Sequence, residues 1–142
     1  FICSRMRRKA LFETAEILGA NKVALGHHRD DVIETFFLNM MFSRELSTIV
    51  PNQELFQGKY RIIRPMFLID KIYINAYCQK MHIPYVKSVC PMDKTSKREF
   101  VRLFCEHLYR QEPKAKKNIF RALFKPKNDY LLAQYSDLLS QI

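Results

Sequence analysis

Apolar residues recur at helical spacing from Ser4 to Leu18, where Leu11, Ala15 and Leu18 form one stripe among strong helix formers and Gly19 follows as a stop. The pattern then shortens. Lys22 to Leu25 is a β-favouring run that ends in Gly26. Asp31 with Glu34 three residues on is the capping pair expected for a helix from Asp31 to Met41. Residues 43–60 lack periodicity and hold Pro51 and Gly58, which predicts a long loop with room for a short hairpin segment before Tyr60. Arg61 to Ile63 is the next expected strand, closed by Pro65, which biases Arg64 towards extended backbone.

Further along, Asp70 is expected to cap a helix reaching Met81, and Ile83 to Val86 to form a last extended piece. Three helices should follow, near Ser96 to Gln111, Pro113 to Phe124 and Asn128 to Gln141, the second opening with Pro at its first position. Short strands alternating with helices, then a helical tail, predict an α/β sheet domain with an α-helical C-terminal extension.

Composition supports one ordered unit: 142 residues, 48% hydrophobic, with only 3 Gly and 6 Pro. No apolar run approaches the roughly 18 residues a membrane span needs, and the first residue is Phe1. The expectation is therefore a cytoplasmic protein, cut at its N-terminus, with no membrane partner. Charge adds a specific clue, because 24 Lys and Arg against 14 Asp and Glu give a net +10. Residues 94–127 hold 11 basic and 3 acidic residues, so a polyanion such as nucleic acid is the expected partner of that region. In the penultimate helix Lys114, Lys117 and Arg121 recur at spacings of three and four, a basic stripe suited to an RNA backbone or simply to water.

Candidate chemistry gathers at Gly26-His27-His28-Arg29-Asp30-Asp31, where a strand ends and a helix begins. Ligands of parallel α/β sheets collect at such carboxyl ends, and a helix N-terminus offers free N–H groups to phosphate. There Gly26 would let backbone approach a nucleotide, His27 or His28 could hydrogen-bond it, and Asp30 or Asp31 could hold Mg2+. Equally, Asp31 could serve only as a cap. The four cysteines, Cys3, Cys78, Cys90 and Cys105, are irregularly spaced and expected to be reduced thiols. Cys78 and Cys105 fall among apolar residues of helices, where a thiol packs as a small hydrophobe. Cys3 lies beside Arg5, Arg7 and Arg8, a setting that would stabilise a thiolate.

Leu25 to Met40, LGHHRDDVIETFFLNM, resembles the segment after the middle strand in the tRNA 2-thiocytidine biosynthesis proteins of the PP-loop ATP pyrophosphatase group. Other marks of that family follow in order: Cys3 to Arg5 with Arg7 and Arg8, Ile63-Arg64-Pro65, Cys90-Pro91 leading into Ser96-Lys97-Arg98, and Asn118 to Leu123. What the resemblance implies is the C-terminal part of a Rossmann-like parallel sheet domain, adenine nucleotide alpha-hydrolase-like, over residues 1–90, with a basic helical extension over 91–142. It implies an enzyme that uses ATP and Mg2+ to adenylate a tRNA cytidine and then replaces oxygen with sulfur. A [4Fe-4S] cluster held by three cysteines is also implied, with Cys3 and Cys90 as two of them and the third one position before Phe1. Asp31 and Arg64 would be catalytic, Gly26, His27 and Asp30 would bind the nucleotide, and Arg7, Arg8, Lys97, Arg98, Lys114, Lys117 and Arg121 would contact tRNA. A sulfur donor such as a cysteine desulfurase and a second copy of the chain are the implied partners.

Two departures qualify the resemblance. No Ser-Gly-Gly-x-Asp-Ser phosphate loop occurs in the chain, and Met41-Phe42-Ser43-Arg44 stands where the family usually has a Gly pair. A cluster-free tRNA-modifying enzyme of the lysidine synthetase kind, or a non-catalytic RNA-binding remnant, are the alternatives.

Overall fold

Helix α1, Ile2–Ile17, opens the computed structural model, which describes residues 2–84 and 96–141, with side chains from 5 to 138 within those spans. It stops where Gly19 takes a φ of +63°, a left-handed conformation that lets the Ala20 N–H reach the Ala15 carbonyl at 2.8 Å. Strand β1, Lys22–Ala24, follows and feeds helix α2, Arg29–Phe42. Strands β2, Asn52–Leu55, and β3, Tyr60–Ile63, come next, then helix α3, Lys71–Lys80. Helices α4, Lys97–Gln111, and α5, Ala115–Ala122, complete the α-helical part, and two 3-10 segments, Asn128–Tyr130 and Leu132–Gln141, end it.

The sheet has the order β1-β3-β2. β1 and β3 run parallel, with Val23 opposite Ile62, whereas β2 and β3 form an antiparallel hairpin with Gln53 opposite the same Ile62. The α/β class expected from the sequence is therefore present, with an antiparallel edge strand added inside the stretch expected to be mostly loop. Tyr60 and Ile62 alternate inward on β3 and are buried. Phe56 and Gln57 in the hairpin turn have positive φ. Phe56 is held there by edge contact with Phe12 of α1 at 5.6 Å and with Tyr60 at 6.1 Å.

The core is built around α2, whose segment VIETFFL is apolar on most sides because most sides are covered. Val32, Ile33 and Phe37 pack with Phe67, with Val101 and Cys105 of α4, and with Phe120 of α5. The basic helices thus share one core with the sheet-bearing part. The expected boundary at residue 90 lies outside the described residues.

Several local expectations change. His28, not Asp31, caps α2: its Nδ1 accepts from the Asp31 N–H at 3.4 Å while the Asp31 carboxylate accepts from the His28 N–H at 2.9 Å. The capping box is therefore shifted one turn earlier than the Asp-x-x-Glu spacing suggests. Asp70 sits at the N-cap of α3 without a capping hydrogen bond, since its carboxylate is engaged by Arg29 and Lys116 instead. Helix α5 starts at Ala115, two residues after Pro113, because the Glu112 carbonyl and carboxylate take the Ala115 and Lys114 N–H groups in a preceding turn. The last segment is 3-10 rather than α-helical and kinks at Tyr135. With Leu132, Tyr135 and Leu138 all exposed, no packed face holds it in a longer regular helix. Cys105 is in the core as expected, but Cys78 is only half-buried, on a helix with no buried residue. Of the extended piece at Ile83 to Val86, residues 85 and 86 lie outside the described residues.

Candidate functional site

Because β1 and β3 are parallel neighbours, their carboxyl ends emerge together, and the Leu25 N–H donates to the Ile63 carbonyl at 2.9 Å to carry the ladder one residue further. Gly26, His27 and Arg64 therefore leave the sheet side by side. Arg64 is buried, at 6% exposure, yet its described partners are all neutral. Its Nε donates to His27 Nδ1 at 3.1 Å, one Nη to Gln53 Oε1 at 3.2 Å, and the other to the Val50 carbonyl. Burial, and then the nearby Arg8, lower its pKa from the ordinary guanidinium value, but an arginine stays charged at neutral pH. Among the described residues no carboxylate pairs with this charge, which stands where phosphate binds in this architecture.

His27 is shaped by that contact. Since Arg64 Nε can only donate, His27 Nδ1 must accept, and the proton of the neutral imidazole sits on Nε2. Burial lowers the His27 pKa; Asp31 opposes this, and Arg64 and Arg98 reinforce it. A neutral ring with an N–H donor is the species at pH 7.

These groups border a cleft of about 620 Å³ that also takes in Arg7 and Arg8 from α1, Thr35 and Asn39 from α2, and Arg98 from α4. Among the described residues no Asp or Glu lines it. Gly26 lines the cleft with backbone alone, and a Cβ there would meet the Met66 methyl at 3.2 Å, tighter than an ordinary contact. Four arginines, one neutral histidine donor and no carboxylate form a receptor for a polyanion of nucleotide size.

The aspartates are placed on two different sides of the α2 N-terminus. Asp31 lies beside the cleft, in a smaller pocket with Glu34 that shares Arg98 with it: one Asp31 oxygen accepts from the His28 N–H, the other from Arg98 at 2.8 Å, while Glu34 meets Arg98 at 3.5 Å. Burial raises the Glu34 pKa although Arg98 opposes it. Asp30 turns the other way, with one oxygen on Lys116 at 2.7 Å and the other accepting from the Lys71 N–H at 2.9 Å. Burial would raise its pKa, but Lys116 and the Lys71 N–H outweigh that and lower it. Lys116 also reaches Asp70 at 2.9 Å, and Asp70 pairs with Arg29 at 2.9 Å. Asp30 is thereby separated from Gly26 and His27, with which the sequence grouped it.

Of the basic residues expected to contact RNA, Arg7, Arg8 and Arg98 border the cleft, whereas Lys117 and Arg121 line a separate groove on α5. Lys97 stands over the Phe42 ring at 4.8 Å, and Lys114 is exposed at the N-cap of α5. Cys90 lies outside the described residues, and Cys3 is in the first turn of α1 with its side chain outside them. No group of three His, Cys, Asp or Glu able to hold a metal exists among the described residues. Burial pushes the Cys105 thiol up to about 11, as befits a packing residue.

Lys116 is the residue the sequence hid. It sits four positions before Phe120, on the apolar side of α5, and a lysine at that place in the helical period points to buried carboxylates opposite. Gln53 and the Val50 carbonyl had no signal, since they depend on how the 43–60 segment folds over Arg64.

The PP-loop domain family model matches residues 3–108. The chain is 37% identical over 123 residues to the tRNA-cytidine(32) 2-sulfurtransferase of Methylobacillus flagellatus, covering 86% of this chain and 41% of that protein. It is 38% identical over 123 residues to the enzyme of the same name from Cupriavidus necator, covering 86% and 39%. The chain thus spans about two-fifths of the length of these curated relatives. In fold it is similar to the U34-tRNA thiolase NcsA of Methanococcus maripaludis, solved with its [4Fe-4S] cluster, with a TM-score of 0.66 at 23% identity over 87% of this chain and 42% of that one.

Proposed function

The chain belongs to the PP-loop domain family, and from that premise we propose that it forms part of an enzyme that thiolates a cytidine of tRNA at the expense of ATP. The observation that carries this reading is the buried Arg64, paired with no carboxylate among the described residues, at the head of an arginine-lined cleft where β1 and β3 end. The tRNA-cytidine 2-sulfurtransferases to which the chain is similar support the choice of substrate.

The chemistry divides into two displacements. The cytidine carbonyl oxygen attacks the α-phosphorus of ATP and pyrophosphate leaves; a sulfur nucleophile then attacks the ring carbon and AMP leaves with the oxygen. Both steps gather negative charge on phosphate oxygens, and fixed cations in a partly dry cleft stabilise that charge most. Arg64 is pre-set for this by its neutral partners, Arg98 is aimed by Asp31 and Glu34, and His27 Nε2–H donates to an anionic oxygen without bringing a charge of its own. Arg7 and Arg8 are exposed at the rim, positioned to meet phosphates of the RNA.

For Mg2+, Asp31 is the available carboxylate on the cleft side, and both of its oxygens are already engaged by Arg98 and the His28 N–H. The donors do not fit the ion in this arrangement. A [4Fe-4S] cluster that Cys3 and Cys90 would help to hold would carry the donated sulfide on an open iron; both thiols lie outside the described side chains. A desulfurase-type donor and a second copy of the chain belong to the same reading.

A longer form of the protein, matching the relatives in length, should convert tRNA cytidine to 2-thiocytidine with ATP and sulfide under anaerobic conditions, as read by mass spectrometry of nucleosides. Arg64→Met should slow this by about 100-fold or more, the scale of losing one preorganised charge donor. About four irons per chain, lost in Cys3→Ala and in Cys90→Ala, should accompany activity. An iron-loaded protein that leaves tRNA unchanged would sink the thiolation reading, and an active protein without iron would favour the cluster-free enzyme.

A further inference from the structure

A second groove runs along α5 and shares no lining residue with the cleft. It encloses about 830 Å³ between α5 and the turn at residues 66–70, and Phe120 and Phe124 form part of its wall. Five cations line it, against Asp70 as the sole acid among the described residues. Two of the five are spent: Arg29 pairs with Asp70 and stacks 5.1 Å over Phe120, and Lys116 bridges Asp30 and Asp70. Lys117, Arg121 and Lys125 remain, four residues apart along one side of the helix and its closing turn, with no acidic side chain in salt-bridge contact among the described residues.

Phe124 stands beside that row and is 59% exposed. Its edge is fixed by Phe120 at 5.2 Å and Phe67 at 6.4 Å, so it is a rigid aromatic surface with much of its area still in water. A hydrophobic ring held open within a triple of unpaired cations suits one chemistry well. Bases stack on aromatic faces while flanking phosphates meet lysine and arginine, and such platforms serve single strands, whose bases are free to splay. A duplex would offer its phosphates but no free base.

We propose that this groove binds a single-stranded stretch of RNA, with one unstacked base on Phe124 and the neighbouring phosphates on Lys117, Arg121 and Lys125. The choice of RNA rests on the tRNA reading above, but the site is separate from the Arg64 cleft and needs neither ATP nor sulfur. It turns the basic stripe of α5 from a general backbone contact into a reader of unpaired nucleotides.

The test is fluorescence anisotropy of a labelled oligocytidylate and a labelled RNA duplex against the chain at several salt concentrations. Phe124→Leu should weaken the oligocytidylate about tenfold and leave the duplex unchanged, and Phe124→Tyr should restore binding. Lys117→Gln, Arg121→Gln and Lys125→Gln together should lower the salt slope by about 2, at roughly 0.7 for each single-strand phosphate, while Lys80→Gln on α3 should not. Unchanged affinity in Phe124→Leu, with an unchanged thermal melt, would overturn the proposal. Equal loss for duplex and single strand would overturn it too, leaving a phosphate-only surface. Failure of thiolation with oligocytidylate binding intact would count against the enzymatic reading alone; thiolation with no role for Phe124 would count against this groove alone.

Discussion

Burial lowers the pKa of His27 from its ordinary 6.5, and Arg64 and Arg98 add to the effect against Asp31. The unfolded chain therefore takes up the proton first as pH falls. Stability carried by the neutral ring is full above about pH 6.5 and is lost as pH falls through the lower, folded value. His27→Gln can still accept from Arg64 but cannot titrate, so the fall in urea midpoint between about pH 7 and 5 should flatten in this variant; an unaltered fall would show that His27 is not the titrating group. Glu34, on the adjoining face of α2, has the opposite sign. Burial raises its pKa above 4.5, with Arg98 opposing, so its protonated form favours folding below about pH 4.5 and that contribution is lost as pH rises. Glu34→Gln should then raise the urea midpoint near pH 7, with the gain fading below about pH 4. A loss at pH 7 would mean that the contact with Arg98 outweighs burial.

Beside the packing of Phe120, one lysine ties helix α5 to the start of α2. Lys116 meets Asp30 at 2.7 Å and Asp70 at 2.9 Å, with all three side chains about one-fifth exposed. Removing one member of a buried ionic group costs roughly 3–5 kcal/mol, and partial solvent access reduces this, so Lys116→Met should lose about 2 kcal/mol in urea unfolding. Adding Asp30→Asn should recover part of it, because the orphaned charge goes while an acceptor for the Lys71 N–H stays; additive losses would rule out the coupling. The sequence announced α5 as basic and amphipathic, and set this lysine apart from its neighbours only by its place on the apolar side, four residues before Phe120. Helices α1, α2 and α4 were legible because their apolar spacing and their stops are local properties. The true cap of α2 was not, since a histidine cap competes with an Asp-x-x-Glu spacing that looks better in one dimension. Strand β2 was legible only as a short hairpin segment before Tyr60, without bounds, because NQEL has little β character of its own and is a strand through the free edge that β3 offers it. At the site, Gly26, His27 and Arg64 could be grouped because strand ends of a parallel sheet lie together. The divergence of Asp30 from Asp31 could not be, because adjacent residues at a helix start point to faces whose partners come from α4 and α5, tens of residues downstream.

Across the molecule, packing is unequal, and the inequality has a direction. Val32, Ile33, Val101 and Cys105 are all at most 3% exposed and knit α2 to α4, whereas α3 has no buried residue, and Ala15 is the buried hydrophobic of α1. β1 closes one end of the sheet order, with β3 on one side only. Amide exchange tracks such differences, since segments with few buried contacts open without global unfolding. Amides of α2 and α4 should exchange at the rate of global unfolding, and those of α1, β1 and α3 at least about tenfold faster; uniform protection would show a single cooperative unit. The pattern also bears on the cleft, whose rim is supplied by the less tightly packed α1 through Arg7 and Arg8, while its floor is the buried Arg64. An anion held by both would stabilise the docked α1 by mass action. Pyrophosphate added to the chain should therefore slow exchange in α1 and β1 first and leave α3, which carries no cleft residue, unchanged. Equal slowing of α3 would point to general ion binding, and no slowing of α1 would mean that Arg64 alone holds the anion and the rim arginines wait for RNA.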